Sequence, residues 1–227
     1  LTDFNRDGRP DFVVTSGDNG EYPSPPKHYH GIRVYLNRGG LKFEQSLSLP
    51  LNGAFKALAR DYDQDGDLDL FLCGYVHFDR EKARNRPLVA GRPAVWTNPV
   101  SYDPLPSILL QNDGTGVFTD VTEKAGVADP SGKSMQALFC DFNNDNWPDL
   151  YIANDVGTAD AMFQNNGDGT FKDISALSGT YDRRASMGLA VGDVWHEGHM
   201  DLFTTHWVNE DHALWKNQSA TTPDKSI

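Results

Sequence analysis

The chain has 227 residues, 38% of them hydrophobic and 23% charged, enough apolar material to bury a core and too much for a disordered tail. Its 32 acidic side chains against 20 basic ones give a formal charge of -12, which disfavours a nucleic-acid backbone or an anionic membrane as principal partner. No run of about 18 apolar residues is present to span a membrane, and no signal-peptide pattern precedes the first motif, so a processed product or a fragment is expected.

The acidity is patterned. Asp3, Asn5, Asp7 and Asp11 occupy positions one, three, five and nine of a nine-residue stretch with Arg9 at position seven. The pattern returns as Asp61, Asp63, Asp65, Asp67 and Asp69, and again as Asp141, Asn143, Asp145, Trp147 and Asp149. A weaker fourth copy keeps Asp193, Glu197, His199 and Asp201 but places Trp195 at position three. The four stretches hold 14 of the 32 acids, so the excess charge is local.

Each stretch leads into an unbroken apolar run, at residues 12–14, 70–72, 150–152 and 202–203, which reads as a strand buried on both faces. Copies two to four are preceded by small and apolar residues at 57–59, 137–139 and 189–191, a first strand that copy one lacks. Further on, four segments align on Asn37, Asn112, Asn165 and Asn217. After the first three, a glycine-rich turn is followed by an aromatic, Phe43, Phe118 or Phe171, which predicts a hairpin into a fourth strand.

Strand, acidic loop, strand, variable loop, strand, glycine turn and strand make up one propeller blade. The expected architecture is therefore all-β, a β-propeller of four-stranded antiparallel blades with repeats at about 1–53, 54–133, 134–185 and 186–227. Closure as a four-bladed ring by strand exchange is one solution. Membership of a larger ring of about seven blades is favoured, because the tail from Ser219 to Ile227 is a poor strand. Cys73 and Cys140 are expected as buried free thiols.

Oxygen donors at alternate positions around a glycine suit calcium, which takes six to eight oxygens. Positions one, three, five and nine are expected to supply side chains, and position seven (Arg9, Asp67, Trp147, His199) its backbone carbonyl. An EF-hand requires Glu at position twelve, where Val14, Leu72, Ile152 and Thr204 stand instead. The competing reading, Asx-rich turns without an ion, is disfavoured by three copies in register. About three calcium sites are expected, with the fourth weak or empty because Trp195 offers no side-chain oxygen. Asn146 replaces glycine at position six of the third loop, which a left-handed Asn tolerates.

These loops resemble those of the FG-GAP and VCBS repeat family, calcium-loop propellers that include the integrin α-subunit head. Residues 165–173, 187–193 and 201–203 further look like the cartilage acidic protein (ASPIC/UnbV) branch. The resemblance implies a secreted or cell-surface calcium-binding protein not known chiefly for catalysis.

From the ninth-position Asp to the aligned Asn the intervals are 26, 43, 16 and 16 residues, so the first two blades carry insertions. Strand parity puts these on the face opposite the acidic loops. The longer insertion contains Arg80, Lys82, Arg84, Arg86, Arg92, Trp96 and Tyr102 among prolines, and is read equally as an interaction surface or a structural cap. The shorter one carries His28 and His30, expected in a solvated loop rather than as metal ligands. His206 and His212 read as packing or hydrogen-bonding residues. Nucleophile-elbow, zincin, P-loop and dinucleotide motifs are all missing from the sequence. The sequence therefore points to a calcium-stabilised recognition or adhesion scaffold, extracellular or periplasmic, with a protein or glycan ligand on the insertion face. A calcium-dependent polysaccharide lyase and a structural subunit of a surface assembly are the alternatives.

Overall fold

The computed structural model describes residues 2–16, 31–51, 53–77, 88–89, 92–93 and 99–219. Four antiparallel sheets follow one another along the chain, each opening beside an acidic loop. Blade one consists of β1 (Phe12–Ser16), β2 (Gly31–Asn37) and β3 (Phe43–Leu49). Blade two consists of β4 (Ala54–Arg60), β5 (Asp69–Gly74), β8 (Ile108–Asn112) and β9 (Phe118–Asp120), and its insertion contains a short hairpin of β6 (Leu88–Val89) and β7 (Arg92–Pro93). Blade three consists of β10 (Ser134–Cys140), β11 (Asp149–Asn154), β12 (Ala161–Asn165) and β13 (Phe171–Asp173). Blade four consists of β14 (Ser186–Gly192), β15 (Asp201–His206) and β16 (Ala213–Trp215). The fold is all-β, a run of propeller blades; the described residues also include a short 3-10 turn at Pro99–Ser101 and a short α-helix α1 (Thr122–Ala125) after β9.

The core lies between blades. Leu70 and Leu72 of blade two meet Ile32, Val34 and Leu36 of blade one. Phe71 and Leu109 turn the other way, into a cluster with Leu150, Ile152 and Phe163 of blade three. Tyr151 in turn meets Leu202 of blade four. Alternate residues of each second strand thus serve two different interfaces, which is why β5 and β11 are buried throughout. The expectation of double-sided burial does not hold for the outer blades. Phe12 is 38% exposed and Phe203, in register with Phe71 and Tyr151, is 37% exposed, because the sides they occupy are those that neighbouring blades cover in the middle of the array.

The aligned asparagines join the blades. The side-chain amides of Asn112, Asn165 and Asn217 donate to the carbonyls of Phe4, Tyr62 and Phe142, position two of the preceding blade's acidic loop, at 2.8, 2.9 and 2.7 Å. The same amides donate at 3.1 Å to Leu68, Pro148 and Met200, position eight of their own loops. Their oxygens accept the amides of Gly116, Gly167 and Ser219, which shapes the turn that follows. Each asparagine therefore ties one acidic loop to the next.

Both cysteines are free thiols, and burial pushes the Cys73 thiol up to about 12. Of the longer insertion, Tyr102 and Leu105 are buried and Val76 bridges to Pro104, so Tyr102 is not an exposed contact residue. Arg80, Lys82, Arg84, Arg86 and Trp96, and the shorter insertion with His28 and His30, lie outside the described residues. So does the tail beyond Ser219. His206 is buried and donates its backbone N–H to His212 Nδ1 at 3.0 Å, a packing and hydrogen-bonding pair.

Replacing Asn165 by Ala removes three hydrogen bonds and leaves the Tyr62 and Pro148 carbonyls without their side-chain donor. Urea unfolding of Asn165→Ala is expected to show a loss of about 2–4 kcal/mol. A loss within about 0.5 kcal/mol, the range of ordinary surface changes, would contradict the inter-blade role.

Candidate metal centre

All four acidic stretches fold into one loop shape. The position-one carboxylate caps the turn: Asp3 accepts the amides of Asp7 and Gly8, Asp141 those of Asp145 and Asn146, Asp193 those of Glu197 and Gly198, and Asp61 that of Gly66. Position six is left-handed in every loop, with φ of 79° at Gly8, 91° at Gly66, 71° at Asn146 and 81° at Gly198. Asn146 adopts the geometry expected of it. Position four is left-handed as well, at Arg6, Gln64, Asn144 and His196, although none is glycine.

The ninth-position aspartates share a second arrangement. Asp11, Asp69, Asp149 and Asp201 are at most 5% exposed. In each, one oxygen accepts the amide of position two (Phe4, Tyr62, Phe142, Val194) at 2.8–3.3 Å. The other accepts the amide of the aligned asparagine at 2.7–2.9 Å. This carboxylate first clamps loop to strand. Both oxygens are thus engaged by backbone amides, a clamp role that spacing alone does not reveal.

Loop two brings its acids closest together. Asp61, Asp63 and Asp65 offer carboxylate oxygens that all lie within 4.8 Å of one another. Asp61 Oδ1 and Asp63 Oδ1 are buried and have no hydrogen-bond partner, as has Asn5 Oδ1 in loop one. Buried oxygens left in this state are costly. Burial, and then the charge of Asp65, push the Asp63 carboxyl above its ordinary range. Gln111 donates to Asp63 Oδ2 at 2.6 Å, a contact not anticipated from the sequence. Asp67 pairs with Arg6 of loop one. A cavity of about 390 Å³ opens beside Asp63 and Asp65, lined across the gap by Lys124 and Thr170.

Loops one and three replace the position-three acid with Asn5 and Asn143, whose amides donate to Asp7 and Asp145 at 2.9 and 2.8 Å. In loop one Asp7 also pairs with Arg9. In loop three Trp147 lies against Gly167, where a Cβ would come within 2.8 Å of the indole nitrogen. In loop four Glu197 turns to Lys216 at 2.7 Å, and the Lys216 ammonium sits 5.3 Å above the Trp195 ring. The amides of Gly198 and Glu197 hold the Asp193 carboxyl below the usual range.

A family model for the FG-GAP-like repeat matches residues 3–72 and 141–204. The chain belongs to the FG-GAP-like repeat family. Two of the four FG-GAP acidic loops fall in each matched segment. No curated protein matches the chain. Among solved structures it is similar to the exotype rhamnogalacturonan lyase YesX, with 18% identity and a TM-score of 0.42 over 88% of this chain and 37% of that one. It is also similar to an Agrocybe aegerita lectin specific for non-reducing terminal N-acetylglucosamine, with 17% identity and a TM-score of 0.27 over 96% of this chain and 65% of that one. The chain spans less than two thirds of the length of either protein.

The buried aspartates of this FG-GAP array set a pH dependence. Burial raises the carboxyl of Asp69 to about 7, that of Asp149 to about 6 and that of Asp160, which accepts from Tyr151, Ser186 and Asn154, to about 7. A folded-state value above the unfolded one means that stability is full below about pH 4 and is lost as pH rises through 6 to 7. Chelator-treated protein is therefore expected to melt at lower temperature at pH 7.5 than at pH 5, with the slope reduced in Asp160→Asn. A melting temperature that rises over this interval would contradict the assignment.

Proposed function

We propose that this chain is a calcium-stabilised region of an FG-GAP propeller that serves as a non-catalytic recognition or adhesion scaffold. Its place is extracellular, at the cell surface or in the periplasm. The observation that carries the reading is the convergence of Asp61, Asp63 and Asp65 around buried oxygens without partners. Three carboxylates this close repel one another, and a divalent cation with a flexible oxygen shell relieves that repulsion. In loop two the cation would be held by Asp61, Asp63 and Asp65, by the Asp67 carbonyl and by the spare lone pairs of Asp69. Loops one and three offer the same pattern with Asn5 and Asn143 at position three. Loop four, with Trp195 at that position and Glu197 engaged by Lys216, is the one expected to stay weak or empty.

Within this reading calcium is structural, because it holds the loops from which neighbouring blades are joined. The propeller would continue into further blades, in keeping with a ring of about seven. The face opposite the loops, where strand parity puts the longer insertion, is where a protein or glycan ligand would bind. The resemblance of residues 165–173, 187–193 and 201–203 to the cartilage acidic protein branch supports a secreted role. Among the described residues no helix is long and apolar enough to cross a membrane.

Calorimetric titration of calcium into chelator-treated protein is expected to give about three sites. At calcium about 100-fold above the dissociation constant, one site adds about 2.7 kcal/mol, and a rise in melting temperature of about 5–10 °C. Asp63→Ala should remove one site and its share of the rise. An unchanged melting temperature with EDTA would overturn the calcium reading.

A further inference from the structure

We propose that the left-handed residue at position four of loops one and two couples cation binding in that loop to cation binding in the next. The coupling rests on the calcium reading for its ligand and on separate geometry for its route.

Four different side chains, Arg6, Gln64, Asn144 and His196, hold φ between 55° and 61°. An L residue with a side chain adopts this region uncommonly, Asn and His more readily than Arg and Gln. What the first three residues share is the destination of the side chain. Arg6 Nη2 donates to the Asp65 carbonyl at 3.2 Å and pairs with the Asp67 carboxylate, positions five and seven of loop two. Gln64 Nε2 donates to the Asn146 carbonyl at 2.7 Å, position six of loop three. Asn144 Nδ2 contacts the Gly198 carbonyl at 3.4 Å and His199 Nδ1 at 2.6 Å, positions six and seven of loop four. The loops are thus linked in one direction, position four of each to positions five to seven of the next.

The landing point gives the contact its effect. Positions five and seven supply a carboxylate and a carbonyl to the proposed cation, and position six is the left-handed turn between them. When a cation closes loop two and orders it, Gln64 at its position four is held against the turn that loop three must form. Loop three then needs less ordering to bind its own cation, which raises its affinity. By linkage, an occupied loop three raises the affinity of loop two by the same factor. The inter-blade asparagines do not supply this effect, since they reach positions two and eight and not the turn.

The test follows the Trp147 indole N–H resonance, a reporter inside loop three assigned with Trp147→Phe, during calcium titration of the 227-residue chain. Four proteins are compared: the parent, Asp63→Asn, which weakens loop two, Gln64→Ala, which removes an exposed contact, and the double variant. Asp63→Asn is expected to weaken calcium binding at loop three about fivefold, although it touches no loop-three ligand. Gln64→Ala should weaken it by a similar factor, and adding Asp63→Asn to Gln64→Ala should then change nothing further at loop three. A merely structural Gln64 would lower the melting temperature and leave loop-three affinity independent of loop two, which would overturn the coupling. Multiplying effects in the double variant would overturn the route through Gln64. A Trp147 resonance that ignores calcium in the parent would overturn the calcium reading itself, and this proposal with it.

Discussion

A buried carboxylate that satisfies two backbone amides is the interaction on which the rest of this molecule depends. Each ninth-position aspartate binds the amide of position two in its own loop and the amide of an asparagine on the third strand. That asparagine reaches back to the carbonyl of position two in the preceding blade. The result is a relay from Asp11 through Phe4 to Asn112 and Asp69, then through Tyr62 to Asn165 and Asp149, then through Phe142 to Asn217 and Asp201. Every member is a strong hydrogen-bonding group that would be costly to bury alone, so the relay is stable only when complete. It places the acidic loops in a row at one end of the blades and fixes the spacing of the strands behind them.

Within each loop the nine positions divide their roles. Positions one and nine shape the turn and anchor it, as loop four demonstrates: with Trp195 at position three it keeps the left-handed φ values at His196 and Gly198 and the full set of Asp193 and Asp201 contacts. The loop shape therefore does not require a complete set of oxygen ligands. Positions three and five vary in what they face. They converge as carboxylates in loop two, are tempered by an asparagine amide in loops one and three, and give way to a lysine pair in loop four. Lys216 of blade four stands at the position of Gln111 in blade two, beside the aligned asparagine, and this position reaches the position-three acid Asp63 with an amide in one blade and the position-five acid Glu197 with an ammonium in the other.

Much of this was legible in the sequence because repetition marks it. Three first strands, four second strands and three returning aromatics lie within observed strands, with Phe43, Phe118 and Phe171 opening β3, β9 and β13. The asparagines aligned as well, but spacing cannot say that a side chain bonds to a carbonyl some 103 residues earlier, as Asn165 does. Nor could it separate the clamp role of Asp69 from the neighbouring acids, since burial and partner are properties of the folded array. Position four escaped notice because its four residues share no chemistry, only a backbone conformation. Tyr102 read as a candidate recognition residue from composition, whereas in the folded chain it is buried. Phe12 and Phe203 read as core from their apolar runs, and their exposure follows from blade order, which no local pattern encodes.

The most direct measurement of the central claim is a crystal structure of the calcium-loaded chain with anomalous data identifying the metal. The account predicts an anomalous peak within coordination distance of Asp61, Asp63 and Asp65, while Asp69 still accepts the amides of Tyr62 and Asn112. A calcium-loaded crystal with no peak there, or with Asp69 turned away from those amides, would contradict it.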